Sequence, residues 1–164
     1  MKEHFKAWFE ERVPNDWFEG DLLVEADREE VLVVGTLGDV EAATDAERSE
    51  GRAGRASRFR EDTREARMKI AREAERRFRR KVSWGVRIGD EEALFTNLSI
   101  PVMTRLRLRD RAVLDTLVDA GVARSRSHAL AWCVRLVGKN QEEWIEELRN
   151  ALVKVAEVRG QGPG

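Results

Sequence analysis

Arg105 and Arg107 lie two residues apart in the run Val102-Met103-Thr104-Arg105-Leu106-Arg107-Leu108, and they suggest what chemistry this chain could do. In an extended strand, side chains alternate between faces, so Met103, Arg105 and Arg107 share one face. Val102, Thr104, Leu106 and Leu108 share the other. The first face presents two guanidinium forks, each able to donate paired hydrogen bonds to a suitable acceptor. The same arginines also suit an ordinary edge strand, where exposed charge discourages aggregation. A helical reading competes, because Val102, Leu106, Val113 and Leu117 nearly form a stripe, but it fails at Arg109 and Asp110.

Two further cationic sets stand out. Arg124-Ser125-Arg126-Ser127 precedes an apolar-periodic segment, where a serine can cap a helix. Arg76-Arg77-Phe78-Arg79-Arg80-Lys81 places one aromatic among five cations. That composition suits nucleic-acid contact, and it equally suits an exposed helix end whose cations complement the dipole.

Other chemistries find little support. No nucleophile-base motif, phosphate loop or paired-carboxylate motif is present, so a non-enzymatic protein without a cofactor is expected. Cys133 is the single cysteine, which excludes an intrachain disulfide and a cysteine-based zinc site. His4 and His128 have no His or Cys neighbour, and no metal is assigned. Gly51-Arg52-Ala53-Gly54 has the GxxG form of the loop by which KH domains clamp single-stranded RNA. Four residues in an Ala/Gly/Arg-rich stretch are too few to define that fold.

The elements that must position these residues form an α+β protein. Phe5, Trp8, Phe9 and Val13 give a short amphipathic helix ending at Pro14. Leu22–Glu25 and Val31–Gly35 read as a β-hairpin, and 38–56 as a flexible loop without apolar periodicity. A long charged helix, capped by Ser57, runs to about Arg80 on a stripe of Phe59, Thr63, Ala66, Ile70, Ala74 and Phe78. Val82, Trp84, Val86 and Ile88 alternate with small or charged residues. They turn at Gly89-Asp90 into a partner strand at Ala93–Thr96. Residues 1–98 thus form an α-ββ-α-ββ module. Residues 99–158 carry the extended run, a helix that Asp110 could cap and Gly121 could end, a second helix ending at Gly138, and a third bearing Trp144, Ile145, Leu148, Ala151, Leu152 and Val155. Residues 159–164 read as a disordered tail. The five tryptophans sit among apolar neighbours and read as core rather than base-stacking groups.

Strand, helix, Gly-containing turn, Ser-Arg-Ser cap and helix, spanning Met103 to Val137, resemble the ribbon-helix-helix family of the Arc, MetJ and CopG type. The most specific part is Gly121-Val122-Ala123-Arg124-Ser125-Arg126-Ser127-His128-Ala129-Leu130, with His128 where an acidic residue is common. The resemblance implies an intertwined homodimer whose paired strands enter the major groove of double-stranded DNA. It implies that Met103, Arg105 and Arg107 read base edges, the arginines through guanine O6 and N7. Ser127, at the start of the second helix, would hold a backbone phosphate, with Ser125 beside it, and Arg124 and Arg126 would add sequence-independent attraction. Arg76, Arg77, Arg79, Arg80 and Lys81 form a possible secondary patch. A transcriptional regulator or nucleoid-associated factor follows from the resemblance.

Charge distribution suggests an alternative. Net charge is −1 overall, but residues 1–50 carry 5 Lys/Arg against 15 Asp/Glu, whereas 51–81 carry 13 against 5. The two segments can neutralise each other, or the basic one can face phosphates. The acidic residues 1–50 would repel DNA beside the ribbon and could instead engage a protein partner. In that case the dimer is a scaffold that keeps the ribbon-helix-helix only for assembly. The start of the sequence has no long apolar stretch, so neither a signal peptide nor a membrane segment is expected, and a cytoplasmic protein is.

Overall fold

A computed structural model describes residues 3–161 and shows a mixed α+β chain of two compact units, 1–101 and 102–164. In the first, helix α1 (Glu3–Arg12) precedes strands β1 (Glu19–Ala26) and β2 (Glu30–Leu37). Helices α2 (Asp45–Asp62) and α3 (Arg64–Phe78) follow, then β3 (Lys81–Ile88) and β4 (Glu91–Leu94). The sheet order is β1-β2-β3-β4. Both hairpins are antiparallel, while β2 and β3 pair in parallel, with Val33 opposite Trp84 and Gly35 opposite Val86. Parallel neighbours require a long crossover, which α2 and α3 provide.

Alternation places Leu22, Val24, Val31, Val33, Trp84, Val86 and Ile88 on one buried sheet face. Phe5, Phe9 and Val13 cover one part of it with Ile70 and Ala74, and Ala56 covers another with Phe59 and Phe95. Phe9 and Trp17 meet the Trp84 ring edge-on, at centroid distances of 5.9 and 6.4 Å. The Phe18 ring occupies the space a Cβ on Gly35 would take, so that glycine is fixed by close packing. Gly20, at φ +69, sits where the β1–β2 register shifts, a conformation that glycine adopts without a Cβ clash.

Three expectations for this unit are corrected. Residues 45–56 of the expected loop belong to α2, and Ser57 lies inside that helix rather than at its start. Thr44 is the cap: its side chain accepts from Glu47 N–H, while the Glu47 carboxylate accepts from Thr44 N–H, each at 3.2 Å. This capping box satisfies two helix-end donors at once. The single long helix is divided at Thr63, whose hydroxyl donates to Phe59 O at 2.6 Å. Gly51-Arg52-Ala53-Gly54 is helical, so no clamp-like loop exists there.

The second unit contains α4 (Leu108–Asp119), α5 (Arg126–Asn140) and α6 (Glu142–Gly160). Leu114, Ala123 and Ala129 form its small buried cluster, with Leu106, Leu117, Leu130 and Cys133 packed around it. Gly121, at φ +74, ends α4 as expected: its N–H donates to Val118 O and that of Val122 to Leu117 O, both at 3.0 Å. This is the Schellman arrangement, which needs a left-handed residue after the cap. The structural boundary falls at 101/102 rather than 98/99. Gly138 lies within α5, and Arg159 and Gly160 extend α6 into the expected tail, of which 162–164 lie outside the described residues. Among the described residues, no helix is long and apolar enough to cross a membrane.

Thr44→Ala should destabilise the N-terminal unit by about 1 kcal/mol in urea denaturation, while Ser57→Ala should change it by less than about 0.5 kcal/mol. The reverse ranking would return the helix start to residue 57.

Candidate nucleic-acid interface

Val102–Arg107 is neither helical nor paired with a strand of its own chain. Arg107 has extended backbone angles, φ −76 and ψ 170, and α4 begins at the next residue. The helical alternative for 102–117 therefore holds only from Leu108 onward. Leu106 packs against the Leu114 cluster, whereas Met103, Arg105 and Arg107 are exposed, Met103 at 99%. The Arg111 guanidinium donates to Leu106 O at 2.6 Å and holds the end of the run against α4. Val102, Thr104 and Leu108, assigned by alternation to the inner face, are instead exposed, Val102 at 86%, and Leu108 is the first residue of α4. Asp110 lies in the first turn of α4 and does not cap it: Arg107 occupies the N-cap position, without a side-chain bond.

The 124–127 segment departs from expectation in detail. Ser125, not Ser127, caps α5, its hydroxyl accepting from His128 N–H at 3.2 Å. His128 Nδ1 accepts from the N–H of Arg124, the residue before the cap, at 3.3 Å, so the third helical side chain reaches back over the start of α5. Ser127 lies in the first turn of α5 and is exposed, as is Arg124. Arg126 is committed locally: its fork donates to both carboxylate oxygens of Asp115, at 2.6 and 2.7 Å. Hydrogen bonding to Arg126 holds the Asp115 carboxyl below its ordinary range, and the pair fastens α5 to α4. Arg124 and the Ser125/Ser127 turn are thus open to an anion, whereas Arg126 already has one.

The secondary patch is also divided. Arg80 donates to Asp27 O at 2.5 Å and lies over the Phe5 ring, and Lys81 pairs with Glu75 at 3.6 Å. Arg76, Arg77 and Arg79 are exposed and form no ion pair among the described residues. Arg79 ends α3 at φ 57, a conformation costing a residue other than glycine about 1 kcal/mol. It lines an open groove of about 480 Å³ of mixed charge, with Arg28, Arg80 and Lys81, the carboxylates of Glu29 and Glu75, and Leu98 and Ile100.

Sequence reasoning missed the most strongly coupled charges. Arg52, on α2, binds Asp39 through two bonds of 2.7 Å and also reaches Asp90 at 2.5 Å and Glu91 at 3.1 Å. It ties the end of β2 to the β3–β4 turn, where a Cβ on Gly89 would collide with its guanidinium. Arg67 is 7% exposed, bonded to Thr63 Oγ1 and Arg60 O, and lies 4.8 Å from the Phe95 ring centre. Burial draws its pKa down. No group of three or more His, Cys, Asp or Glu is placed to hold a metal among the described residues.

Comparison with known proteins places both units in described families. Residues 3–94 match the family described as Rv1265-like protein, N-terminal domain, and residues 107–159 match the Mb1296 C-terminal domain. The chain belongs to the Rv1265-like family. It is 57% identical over 157 residues to Mb1296 of Mycobacterium bovis and to Rv1265 of Mycobacterium tuberculosis, covering 95% of this chain and 69% of each relative. Both are described as uncharacterized proteins. Neither family description names a ribbon-helix-helix or a nucleic acid. No solved structure matches.

Bonding to Arg52 holds the Asp39 and Asp90 carboxyls below their ordinary range. A depressed folded-state pKa stabilises the fold above the unfolded value, ~3.9, and that stabilisation is lost as pH falls toward the folded value. Arg52→Gln should therefore be less stable than the parent in urea at pH 7, with the gap closing between about pH 4 and pH 2. A gap independent of pH would show that Arg52 acts through packing alone.

Proposed function

We propose that this protein is a dimeric DNA-binding protein, a transcriptional regulator or nucleoid-associated factor that inserts a two-stranded ribbon into the major groove. One observation carries the proposal: a run without helix or strand pairing, extended at Arg107, packs Leu106 inward and leaves Met103, Arg105 and Arg107 exposed, ahead of two helices whose apolar surface is left open. A ribbon-helix-helix strand has its partner in a second chain, so an unpaired strand is what one copy would contain. Of the eighteen exposed large apolar residues among those described, fourteen lie in residues 102–158, including Val113, Val134 and Val137 on α4 and α5. Exposed apolar surface on that scale marks an interface.

In the dimer, Arg105 and Arg107 of each chain read guanine edges. Arg124, Ser125 and Ser127 at the start of α5 contact the flanking phosphates. Arg126 contributes only by exchanging Asp115 for phosphate. The scaffold reading draws on the edge strand β1, whose exposed Glu19, Asp21 and Glu25 offer an acidic surface to a basic protein.

Mobility shift with genomic fragments distinguishes these readings. Binding at 50 mM salt should weaken by about 10³-fold or more at 200 mM if six or more phosphates are contacted. Arg105→Ala with Arg107→Ala should reduce it at least about tenfold, since each guanine contact contributes ~1–3 kcal/mol. A folded dimer that shifts no DNA at low salt would overturn the proposal and leave the scaffold.

A further inference from the structure

We infer that α6 pairs antiparallel with α6 of a second copy, extending the proposed dimer beyond the ribbon-helix-helix unit. This rests on the dimer reading but concerns a separate surface. Among the described side chains of this 19-residue helix, only Ile145 is not exposed. Yet Trp144, Leu148, Ala151, Val155 and Val158 recur at alternating intervals of four and three, the spacing of a seam between two helices. Trp144 is 55% and Val158 68% exposed, so nothing among the described residues covers either end of that seam. An apolar stripe of this length is not stable in water as an uncovered helix face.

Charge identifies the occupant and its direction. The first half of α6 carries Glu142, Glu143, Glu146 and Glu147, while Arg149, Lys154 and Arg159 lie toward its end. Arg149 is already paired with Glu146 at 3.0 Å. Glu147 and Lys154 flank the same side of the seam, and neither forms an ion pair among the described residues. An antiparallel pair centred on Ala151 brings Trp144 to Val158 of the other copy, and Glu147 to Lys154 twice by symmetry. A parallel pair would gather eight glutamates at one end and set Lys154 beside Arg159, like charges that oppose association. Ala151 at the centre has no side chain beyond Cβ, which lets the backbones approach where the helices cross. The helix is complementary to itself only when reversed, as a two-fold axis across it requires.

Cysteine crosslinking in a Cys133→Ser background tests this. Ala151→Cys should crosslink to itself under mild oxidation. Trp144→Cys and Val158→Cys should not do so singly, but should when mixed. Glu147→Lys and Lys154→Glu should each weaken dimerisation about tenfold in sedimentation, and the double exchange should restore it. Self-linking of Trp144→Cys or Val158→Cys as fast as Ala151→Cys would establish parallel pairing and overturn the inference. A parent dimer in which no variant links, or one indifferent to both charge reversals, would overturn α6 pairing while leaving the ribbon dimer in place. A strict monomer would remove both.

Discussion

Burial of apolar surface constrains the two units differently, and the remaining features follow from that contrast. In residues 1–101, a sheet with helices over one face closes its core within one chain. Phe9, Val31, Val33 and Val86 are fully buried there. In 102–164, the buried core shrinks to Leu114, Ala123 and Ala129. Apolar burial contributes about 25 cal/mol per Å², so three modest residues cannot offset the entropy of ordering three helices. Much of this unit's apolar surface is exposed among the described residues. Its helices have sound ends, with a serine cap on α5 and a Schellman turn after α4, so local signals specify elements that burial within one chain does not complete.

Electrostatics shows a similar division between satisfied and unsatisfied groups. The acidic first segment and basic second segment meet in part, through Arg52 with Asp39, Arg55 with Gly38 O, and Arg80 with Asp27 O. Each contact joins a helix, or the chain just beyond one, to the sheet or its flanking loops, so these charges act as fasteners. Arg12 with Glu73 similarly ties α1 to α3. The outward cations of α2 and α3 remain, including Arg58, Arg64, Arg72, Arg76 and Arg77, without ion pairs among the described residues. A net charge near zero therefore conceals both a closed network and an open basic face.

Legibility in the sequence followed the strength of periodicity. Val82, Trp84, Val86 and Ile88 alternate without exception, and β3 lies there. Phe5, Phe9 and Val13 sit one helical turn apart, which marked α1 and its buried face. The first half of α2 escaped because 45–56 has almost no apolar stripe. A capping box, Arg52 and the contact of Gly51 with Val40 hold it, and only the cap is a local signal. Thr44 with Glu47 was a readable capping box, obscured by the Gly/Ala/Ser composition around it. Parallel pairing of β2 with β3 was illegible, because it joins segments 51 residues apart in register. In Arg124-Ser125-Arg126-Ser127, either serine satisfies the cap pattern, and the choice turns on one hydrogen bond to His128.

The extended run at 102–107 is the part of the candidate site that one chain can show least completely. A strand is recognised by its ladder, and the proposed ladder partner is the same segment of another copy. What one copy retains is side-chain direction. Leu106 is held inward on α4 and the adjacent arginines are exposed, as a pleated ribbon requires at these three positions, while Val102 and Thr104 stay exposed in one copy. A one-residue slip would bury Arg105 and Arg107 against Leu114 and expose Leu106, leaving charge without a partner in an apolar cluster. That penalty fixes the outward face before any ligand is present. The arginines are thus positioned by the residue between them: Leu106 anchors the run, and Arg105 and Arg107 project from it.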